Sequence, residues 1–277
     1  MFSVREGFAD AEPTKNGTVA AATVENAKGA GGVVVLCDHA ANRLPPRFGT
    51  LGLEPHHLSA HFAWDPGALG VARALAAALD APLVASTVSR LVIDCNRDPS
   101  AEDSIVVIGE TIPIPGNAGL SAEERHRRVS EVYEPFHAAA TQTIDSALTA
   151  RPIMIVSVHS FTPVFKGTAR PWHVGILFDH DDRLARPLLA DLAADKTLVV
   201  GENQPYSPRD RVYHTLDRHA QRRGLPSAMI EIRNDLIATD QAQRAWGERL
   251  AKAIRSAMTM INSKSGGDDK KKAGSLA

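Results

Sequence analysis

Several apolar runs in this sequence end in side chains that can bind a metal ion or transfer a proton. His39 and Asn42 follow the run VVVLC, and His159 ends the run IMIVSV. Glu231 lies between two isoleucines in AMIEIRND, where burial without a partner would raise the pKa of its carboxyl. Neutral imidazole is a common ligand of zinc, and such a carboxylate can take a proton from water. These residue types predict metal-assisted hydrolysis; the alternatives are a structural, hydrogen-bonded histidine and a salt-bridged glutamate.

A second group of candidates carries positive charge or hydrogen-bonding capacity. The segment SRLVIDCNRDP contains Arg90, Asn96 and Arg97. A guanidinium can hold a substrate carboxylate through two parallel hydrogen bonds, or it can pair with Asp94 or Asp98 and have no catalytic role. Both interpretations are open from the sequence alone.

Further candidates lie in loops and helix ends. The turn-rich segment GENQPYSPRD predicts a loop over the site, with Asn203 and Tyr206 as substrate contacts, or a simple connection. Arg233, in AMIEIRND, is another candidate for substrate binding. His214 is a candidate for transition-state stabilisation, with an exposed surface histidine as the alternative. Asp65 precedes a proline in HFAWDPGA and is predicted to cap a helix, although it could also be a third metal ligand.

The composition favours small-molecule chemistry. The chain has 277 residues, 44% of them hydrophobic and 23% charged, and its formal net charge is −1. No overall field favours nucleic acid or an anionic membrane. Its two cysteines lie in apolar runs, and no signal peptide or long apolar span is evident, so we expect a cytoplasmic protein. No phosphate-binding loop, dinucleotide fingerprint, nucleophile elbow or C-x-x-C pair occurs.

Apolar, β-rich runs alternate with segments of helical period. The predicted strands are 33–37, 83–87, 91–95, 153–158, 174–178, 197–200 and 227–232. The predicted helices are 66–79, 121–149, 182–194, 209–223 and 240–261, with Ser121 and Asp240 as helix caps. This alternation predicts an α/β fold with a mixed, largely parallel sheet between helices. We expect a flexible arm over 1–31, one domain over 32–262, and a disordered tail over 263–277.

Six motifs, in order, resemble the N-formylglutamate amidohydrolase family over roughly residues 32 to 255. They are VVLCDHAANRLP, FAWDPGA, SRLVIDCNRDP, VSVHSFTP, VGENQPYS and YHTLDRHAQRRGLPSAMIEIRNDLI. The resemblance implies a three-layer α/β/α sandwich like that of zinc carboxypeptidases. It also implies hydrolysis of an N-acyl amino acid such as N-formylglutamate to formate and the free amino acid, a reaction of amino-acid degradation.

The resemblance also implies roles for individual residues. His39 and His159 would bind zinc, and Glu231 would activate the attacking water. Arg90, Asn96 and Arg97 fall where such enzymes hold a substrate carboxylate. Related zinc hydrolases carry Glu three residues after the first histidine, whereas this chain has Asn42 as the corresponding candidate ligand.

Two other functions are compatible with the same residues. The first is a related amidase or carboxypeptidase with another N-acyl or peptide substrate. The second is an amino-acid-binding protein on an inactivated hydrolase scaffold, in which Asn42 marks a lost metal site. Polyanion binding by the Lys270 to Lys272 run is a weaker third hypothesis.

Overall fold

One seven-stranded sheet organises the chain. The computed structural model describes residues 20–273, with side chains described through residue 263. The strands in this part of the chain are β1 Ala22–Glu25, β2 Val33–Cys37, β3 Leu83–Ser86, β4 Ile108–Gly109, β5 Ile112–Pro113, β6 Met154–Phe161, β7 Val164–Phe165, β8 Thr168–Ala169, β9 Val174–Leu177, β10 Val200–Glu202 and β11 Ser227–Arg233. The large sheet has the order β1-β3-β2-β6-β11-β9-β10, and β4-β5 and β7-β8 are separate two-stranded hairpins.

The central strands of the sheet run parallel. Strand β2 pairs in parallel with β3 and β6, and β6 pairs in parallel with β11. Strand β9 reverses direction against β11, and the edge strand β1 is antiparallel to β3. The predicted mixed, largely parallel sheet is therefore confirmed. Four consecutive carboxyl ends, those of β3, β2, β6 and β11, lie at one edge, where α/β proteins bind their ligands.

Helices cover both faces of the sheet. They are α1 Ala68–Leu79, α2 Ala122–Arg128, α3 Glu134–Ala150, α4 Ala185–Ala194, α5 His214–His219 and α6 Asp240–Ala273. Alternate residues of β2 pack into two separate cores: Val33 and Val35 join one, and Val34 and Leu36 join the other. Helices α1, α4 and α6 contribute to the first core, and α3 and α5 to the second. This arrangement confirms the three-layer α/β/α prediction and explains why β2 has no polar alternation.

The predicted strand 91–95 is wrong. This run is buried, but it forms successive turns rather than a ladder of strand hydrogen bonds. The Asn117 side chain donates to Leu91 O at 2.8 Å, and the Asp94 amide donates to Ser104 O at 2.7 Å. A short apolar run indicates that a segment is buried, but both inner strands and covered loops are buried, so the run does not distinguish between them. These turns carry Asp94, Asn96 and Arg97 across the carboxyl edge of the sheet.

Several predicted boundaries also differ. The helix predicted over 209–223 is shorter in the structure, where only α5 is helical in the α form. Arg211 has a left-handed φ of 61°, which an α-helix does not accommodate, so α5 begins after it. A π turn, Val129–Tyr133, separates α2 from α3 inside the helix predicted over 121–149. The side chain of Ser121 accepts a hydrogen bond from the Glu124 amide, as its predicted capping role requires.

The chain ends need two further corrections. Strand β1 lies inside the segment predicted to be an irregular arm, and residues 1–19 of that arm lie outside the described residues. Helix α6 continues to Ala273, beyond the predicted end at 261 and into the predicted tail. Residues 274–277 of the tail are outside the described part of the chain. Thr239, rather than Asp240, accepts the hydrogen bond that caps α6, from the Ala242 amide.

No helix within residues 20–273 combines the length and the apolarity that crossing a bilayer requires.

Candidate active site

Strands β2, β6 and β11 deliver ionisable side chains to the same edge of the sheet. Asp38 and His39 directly follow β2, His159 lies near the end of β6, and Glu231 lies in β11. Glu231 and His159 are partners in the parallel register of β6 and β11, so their side chains emerge side by side. All four residues are at most 4% exposed. Buried titratable groups at this density are typical of a functional site.

Three of these side chains form a group that could hold a metal ion. Ligand atoms of Asp38, His39 and His159 lie within 4.8 Å of one another. Asp38 Oδ1 lies 3.2 Å from His159 Nε2 and 3.9 Å from His39 Nδ1. Asp38 Oδ1 and His159 Nε2 are both buried and have no hydrogen-bond partner among the described residues. Two imidazole nitrogens and a carboxylate oxygen are a donor set that zinc accepts, so the residues fit a metal ion.

The atoms of Asp38, His39 and His159 that face away from one another are held by neighbouring side chains. His39 Nε2 lies 2.6 Å from Asp94 Oδ1, and His159 Nδ1 lies 2.9 Å from Asp65 Oδ2. A carboxylate on the outer nitrogen orients an imidazole and directs the lone pair of the inner nitrogen towards a metal. In the same way, Thr215 Oγ1 donates to Asp38 Oδ2 at 2.5 Å and leaves Oδ1 to face the histidines.

The charges of the site attract a cation. Burial and Arg90 both oppose a charge on His39, yet Asp94, Asp38 and Asp65 raise its pKa to about 10. With a pKa of about 10 the metal-free ring carries a proton on both nitrogens at neutral pH, and Nδ1 lies 3.2 Å from Arg90 Nη1. Nδ1 must therefore lose its proton before it can bind a metal or accept a hydrogen bond from Arg90, because a guanidinium can only donate. A cation at this position would replace the Arg90 contact and neutralise part of the buried negative charge.

Glu231 has the properties of a general base. Burial raises the pKa of its carboxyl to about 7, and Asp65 adds to this effect while His159 opposes it. Its Oε2 atom is buried and has no hydrogen-bond partner among the residues described. The alternative of a salt-bridged Glu231 is not realised with the nearby arginines, because Arg90 pairs with Asp94 and Arg233 pairs with Asp235. A carboxyl that titrates near neutral pH is well matched to proton transfer.

A small cavity of about 100 Å³ joins these groups. It is lined by His39, His61, Asp65, Arg90, Asn96, Arg97, His159, Ser160, Tyr206, Val212 and Glu231. The volume is below the usual range for drug-sized ligands, so the site suits a small substrate.

The cavity contains four of the predicted substrate contacts. Arg90 donates to Asp94 Oδ2 at 2.5 Å, and this ion pair leaves Arg90 only partly available to a substrate. Asn96 is committed to the backbone: its Nδ2 donates to Val212 O, and its Oδ1 accepts from the Thr215 amide at 2.9 Å. Arg97 and Tyr206 also line the cavity.

Four predicted site residues lie elsewhere. Asn42 donates through Nδ2 to Leu58 O at 3.0 Å, and it is Asp38 that joins the two histidines. Asn203 Oδ1 accepts from the Phe178 amide at 3.0 Å. Arg233 pairs with Asp235 at 2.8 Å. His214 lines an adjoining cavity and contacts the Tyr133 hydroxyl at 2.7 Å.

Sequence reasoning missed the supporting residues. Asp65 does not cap α1, whose preceding residue is Gly67; instead it contacts His159. His61 lines the cavity and its Nε2 donates to Ser160 O at 2.5 Å. Asp38 directly precedes His39 in the sequence, and this adjacency of carboxylate and imidazole was the one local signal available.

A second histidine cluster lies behind the site. His137 and His219 are fully buried, with His137 Nδ1 at 2.8 Å from His219 Nε2 and His137 Nε2 donating to Cys95 O at 2.9 Å. Burial, reinforced by neighbouring cationic groups, lowers the pKa of His137 to about 2 and that of His219 to about 3. Both rings are therefore neutral in the folded protein, and they connect α3, α5 and the Asp94 segment.

This pair predicts a loss of stability in mild acid. Below pH 6.5 each unfolded histidine gains a proton that the folded one does not, so the free energy of unfolding falls as pH falls. Each histidine contributes about 2 kcal/mol to this loss between pH 7 and pH 5. The variant His137→Gln should show a pH dependence smaller by about that amount in urea unfolding. The exposed His180→Gln is the control, and an unchanged pH dependence in His137→Gln would contradict the assignment.

Comparison with known proteins identifies the family and the fold of the chain. A family model described as N-formylglutamate amidohydrolase matches residues 31–238. The crystal structure of a gene product from Agrobacterium tumefaciens is 45% identical, with a TM-score of 0.85 over 87% of this chain and 96% of that chain. The crystal structure of N-formylglutamate amidohydrolase from Ralstonia eutropha JMP134 is 20% identical and shares the fold, with a TM-score of 0.60 over 86% of this chain and 99% of that chain. No protein with a curated description matches.

Proposed function

The chain belongs to the N-formylglutamate amidohydrolase family, and we propose that it is a metal-dependent hydrolase of an N-acyl amino acid, with N-formylglutamate as the reference substrate. The products would be formate and the free amino acid. The observation that carries the proposal is that two buried ligand atoms, Asp38 Oδ1 and His159 Nε2, face each other at 3.2 Å without a hydrogen bond among the described residues, and that Glu231 Oε2 nearby also makes none.

Asp38, His39 and His159 would hold the metal, which we propose to be zinc. A zinc ion bound there would act as a Lewis acid and lower the pKa of a coordinated water. The contacts of Asp94, Asp65 and Thr215 keep the three ligand atoms directed at one point. These contacts would fix the ligand geometry, so that the site binds a metal ion specifically and is not only a region of negative charge.

Glu231 would take a proton from the attacking water. The oxygen of that water adds to the carbonyl carbon of the N-acyl group, and the carbonyl oxygen becomes an oxyanion. Glu231 would then return the proton to the amide nitrogen as the carbon–nitrogen bond breaks, which releases the carboxylic acid and the free amine. The buried position of Glu231, which raises its pKa to about 7, supports both halves of this transfer.

Arg97 is the proposed contact for the carboxylate of the substrate. It lines both the active-site cavity and the adjoining cavity, so it is within reach of a substrate that extends from one into the other. Its Nη1 donates to Asn96 O and to Arg211 O, both at 3.0 Å, which orients the guanidinium. Arg90, which is bound to Asp94, would orient His39 instead.

The alternative of an inactivated, amino-acid-binding scaffold rested on Asn42 as a failed metal ligand. The position of Asp38 beside both histidines supports the enzyme instead, because the carboxylate comes from the residue before His39. A related amidase or carboxypeptidase with a different substrate has the same metal site, and the substrate alone distinguishes it.

We expect the purified protein to bind about one zinc ion per chain and to hydrolyse N-formyl amino acids when loaded. Metal content would be measured by mass spectrometry, and activity on a panel of N-formylglutamate, other N-formyl and N-acetyl amino acids, and dipeptides. Removal of the metal with a chelator should abolish the activity, and zinc should restore it. His39→Ala, which lacks one of the proposed metal ligands, is the negative control. Hydrolysis that is unaffected by the chelator, or zinc binding that survives in His39→Ala, would contradict the proposal.

A further inference from the structure

Arg170 is a buried arginine without an acidic partner. It is 8% exposed, and no salt bridge among the described residues includes it. Its guanidinium carbon lies 4.5 Å from the centre of the Phe165 ring, 4.7 Å from that of Tyr206 and 5.8 Å from that of Phe161. Removing a guanidinium from water is costly unless another interaction compensates, so its position calls for a functional explanation.

The hydrogen bond of Arg170 determines what Tyr206 can do. Arg170 Nη1 donates to the Tyr206 hydroxyl oxygen at 3.0 Å. A tyrosine hydroxyl has one hydrogen to donate, and Tyr206 has no acceptor for it among the described residues. Since Tyr206 lines the active-site cavity together with Glu231 and His159, this hydrogen is free to be donated to a substrate.

The backbone around Tyr206 is held close to Glu231. Gly175 of β9 is the register partner of Glu231 in β11. A Cβ atom at Gly175 would lie 1.7 Å from Gln204 O, so the loop before Tyr206 packs directly on the sheet where a side chain would otherwise stand. Glycine at this position therefore brings the loop, and Tyr206 with it, next to the proposed general base.

We propose that the Tyr206 hydroxyl donates a hydrogen bond to the carbonyl oxygen of the scissile amide as that oxygen becomes an oxyanion, and that Arg170 positions Tyr206 for this role. The inference rests on the proposed amide hydrolysis and adds a catalytic residue to it. Tyr206 keeps its proton throughout, because only a hydrogen bond is formed. A preorganised donor at a developing oxyanion commonly contributes a factor of about 100 or more to kcat.

The electrostatics of Tyr206 are consistent with a donor. Burial and the nearby Glu231 raise the pKa of its hydroxyl to about 12, although Arg170 opposes this shift. The hydroxyl is thus protonated at neutral pH. The Arg170 contact withdraws charge from the oxygen and makes its hydrogen a better donor.

The test measures kcat and KM separately on the zinc-loaded full chain, with its best N-acyl substrate. Tyr206→Phe should lower kcat about 100-fold and change KM by less than about threefold. Arg170→Met should lower kcat about 10-fold in the presence of Tyr206 and should have no further effect in Tyr206→Phe, because Arg170 acts through Tyr206. Arg170→Lys, which keeps a donor, should recover part of the loss. Arg249→Met, which removes a guanidinium stacked on Trp246 away from the site, is the control.

Two results would overturn the inference. One is a rise in KM with kcat unchanged in Tyr206→Phe, which would make Tyr206 a ground-state contact. The other is multiplication of the two effects in the double variant, which would make Arg170 independent of Tyr206. Zinc content and thermal unfolding of each variant show whether a loss of kcat is caused by misfolding. If Arg170→Met misfolds, the kinetics of Arg170→Lys are compared with wild type instead.

A separate binding experiment distinguishes failure of the proposed function from failure of the proposed role of Tyr206. If wild-type protein hydrolyses no member of the substrate panel, the affinity of the zinc-loaded chain for a phosphonamidate analogue of N-formylglutamate is measured by calorimetry. Its tetrahedral phosphorus carries anionic oxygen where the reacting carbon would carry the oxyanion. Weaker binding of this analogue to Tyr206→Phe than to wild type supports the donor role, and equal binding contradicts it.

Discussion

Replacing Glu231 with Gln is expected to lower kcat by a factor on the order of 10³, while KM changes little. Glutamine has nearly the same shape as glutamate, so it can occupy the same place between Ile230 and Ile232. It cannot, however, accept a proton from water at neutral pH. The unpartnered Oε2 of Glu231 and its pKa of about 7 make this the group with the strongest claim to the role of base. Steady-state kinetics on the zinc-loaded protein would measure the effect.

The matched control for this variant is Glu202→Gln. Glu202 is an exposed glutamate at the end of β10, on the same sheet but paired with Arg186 on the surface. It should retain wild-type kinetics. Zinc content must be equal in wild type, Glu231→Gln and Glu202→Gln, so that the loss of rate reports proton transfer and not loss of metal. Full turnover in Glu231→Gln would show that another group activates the water.

Replacing Asp38 with Ala is expected to weaken zinc binding by a factor of roughly 100 or more and to abolish hydrolysis with it. Asp38 Oδ1 is buried, makes no hydrogen bond among the described residues and lies 3.2 Å from His159 Nε2, so its removal would leave the two histidines without the proposed third ligand. Asn42→Ala should keep zinc binding within about threefold of wild type, because the Asn42 amide is engaged with Leu58 O. Competition with a chromogenic chelator would give both affinities.

Together, Asp38→Ala and Asn42→Ala show whether Asp38 or Asn42 is the third metal ligand. Thermal unfolding of the metal-free proteins shows whether either substitution damages the fold. Thr215→Val adds a graded test, since it removes the hydrogen bond to Asp38 Oδ2 and should weaken zinc binding less than Asp38→Ala does. If Asn42→Ala lost zinc and Asp38→Ala retained it, the assignment from the structure would be wrong.

The architecture followed from sequence because its causes are local. Apolar runs such as 33–37 favour strands covered on both faces, and the segments between them have helical period. Alternation of the two then leads to a parallel sheet between helices, with its ligands at the carboxyl ends of the strands. His39, His159 and Glu231 follow from this rule alone, since each lies at or near the end of such a run. The run 91–95 was misassigned because apolar character reports burial and not hydrogen bonding.

What only the tertiary structure decided is which atoms face one another. The turn after β2 directs Asp38, and not Asn42, at the histidines, and no periodic pattern encodes the direction of a side chain in a turn. Asp65, Asp94 and Thr215 reach their partners over sequence separations of 94, 55 and 177 residues. Arg170 meets Tyr206 in the same way, through a hairpin and a loop that touch only in the folded chain. The sequence by itself determined the strand ends and the residue types that they carry. Long-range packing determined which side chains form the proposed ligand set, the partner of each imidazole and the free hydrogen of Tyr206, because these depend on distances between segments that chain-local preferences do not specify.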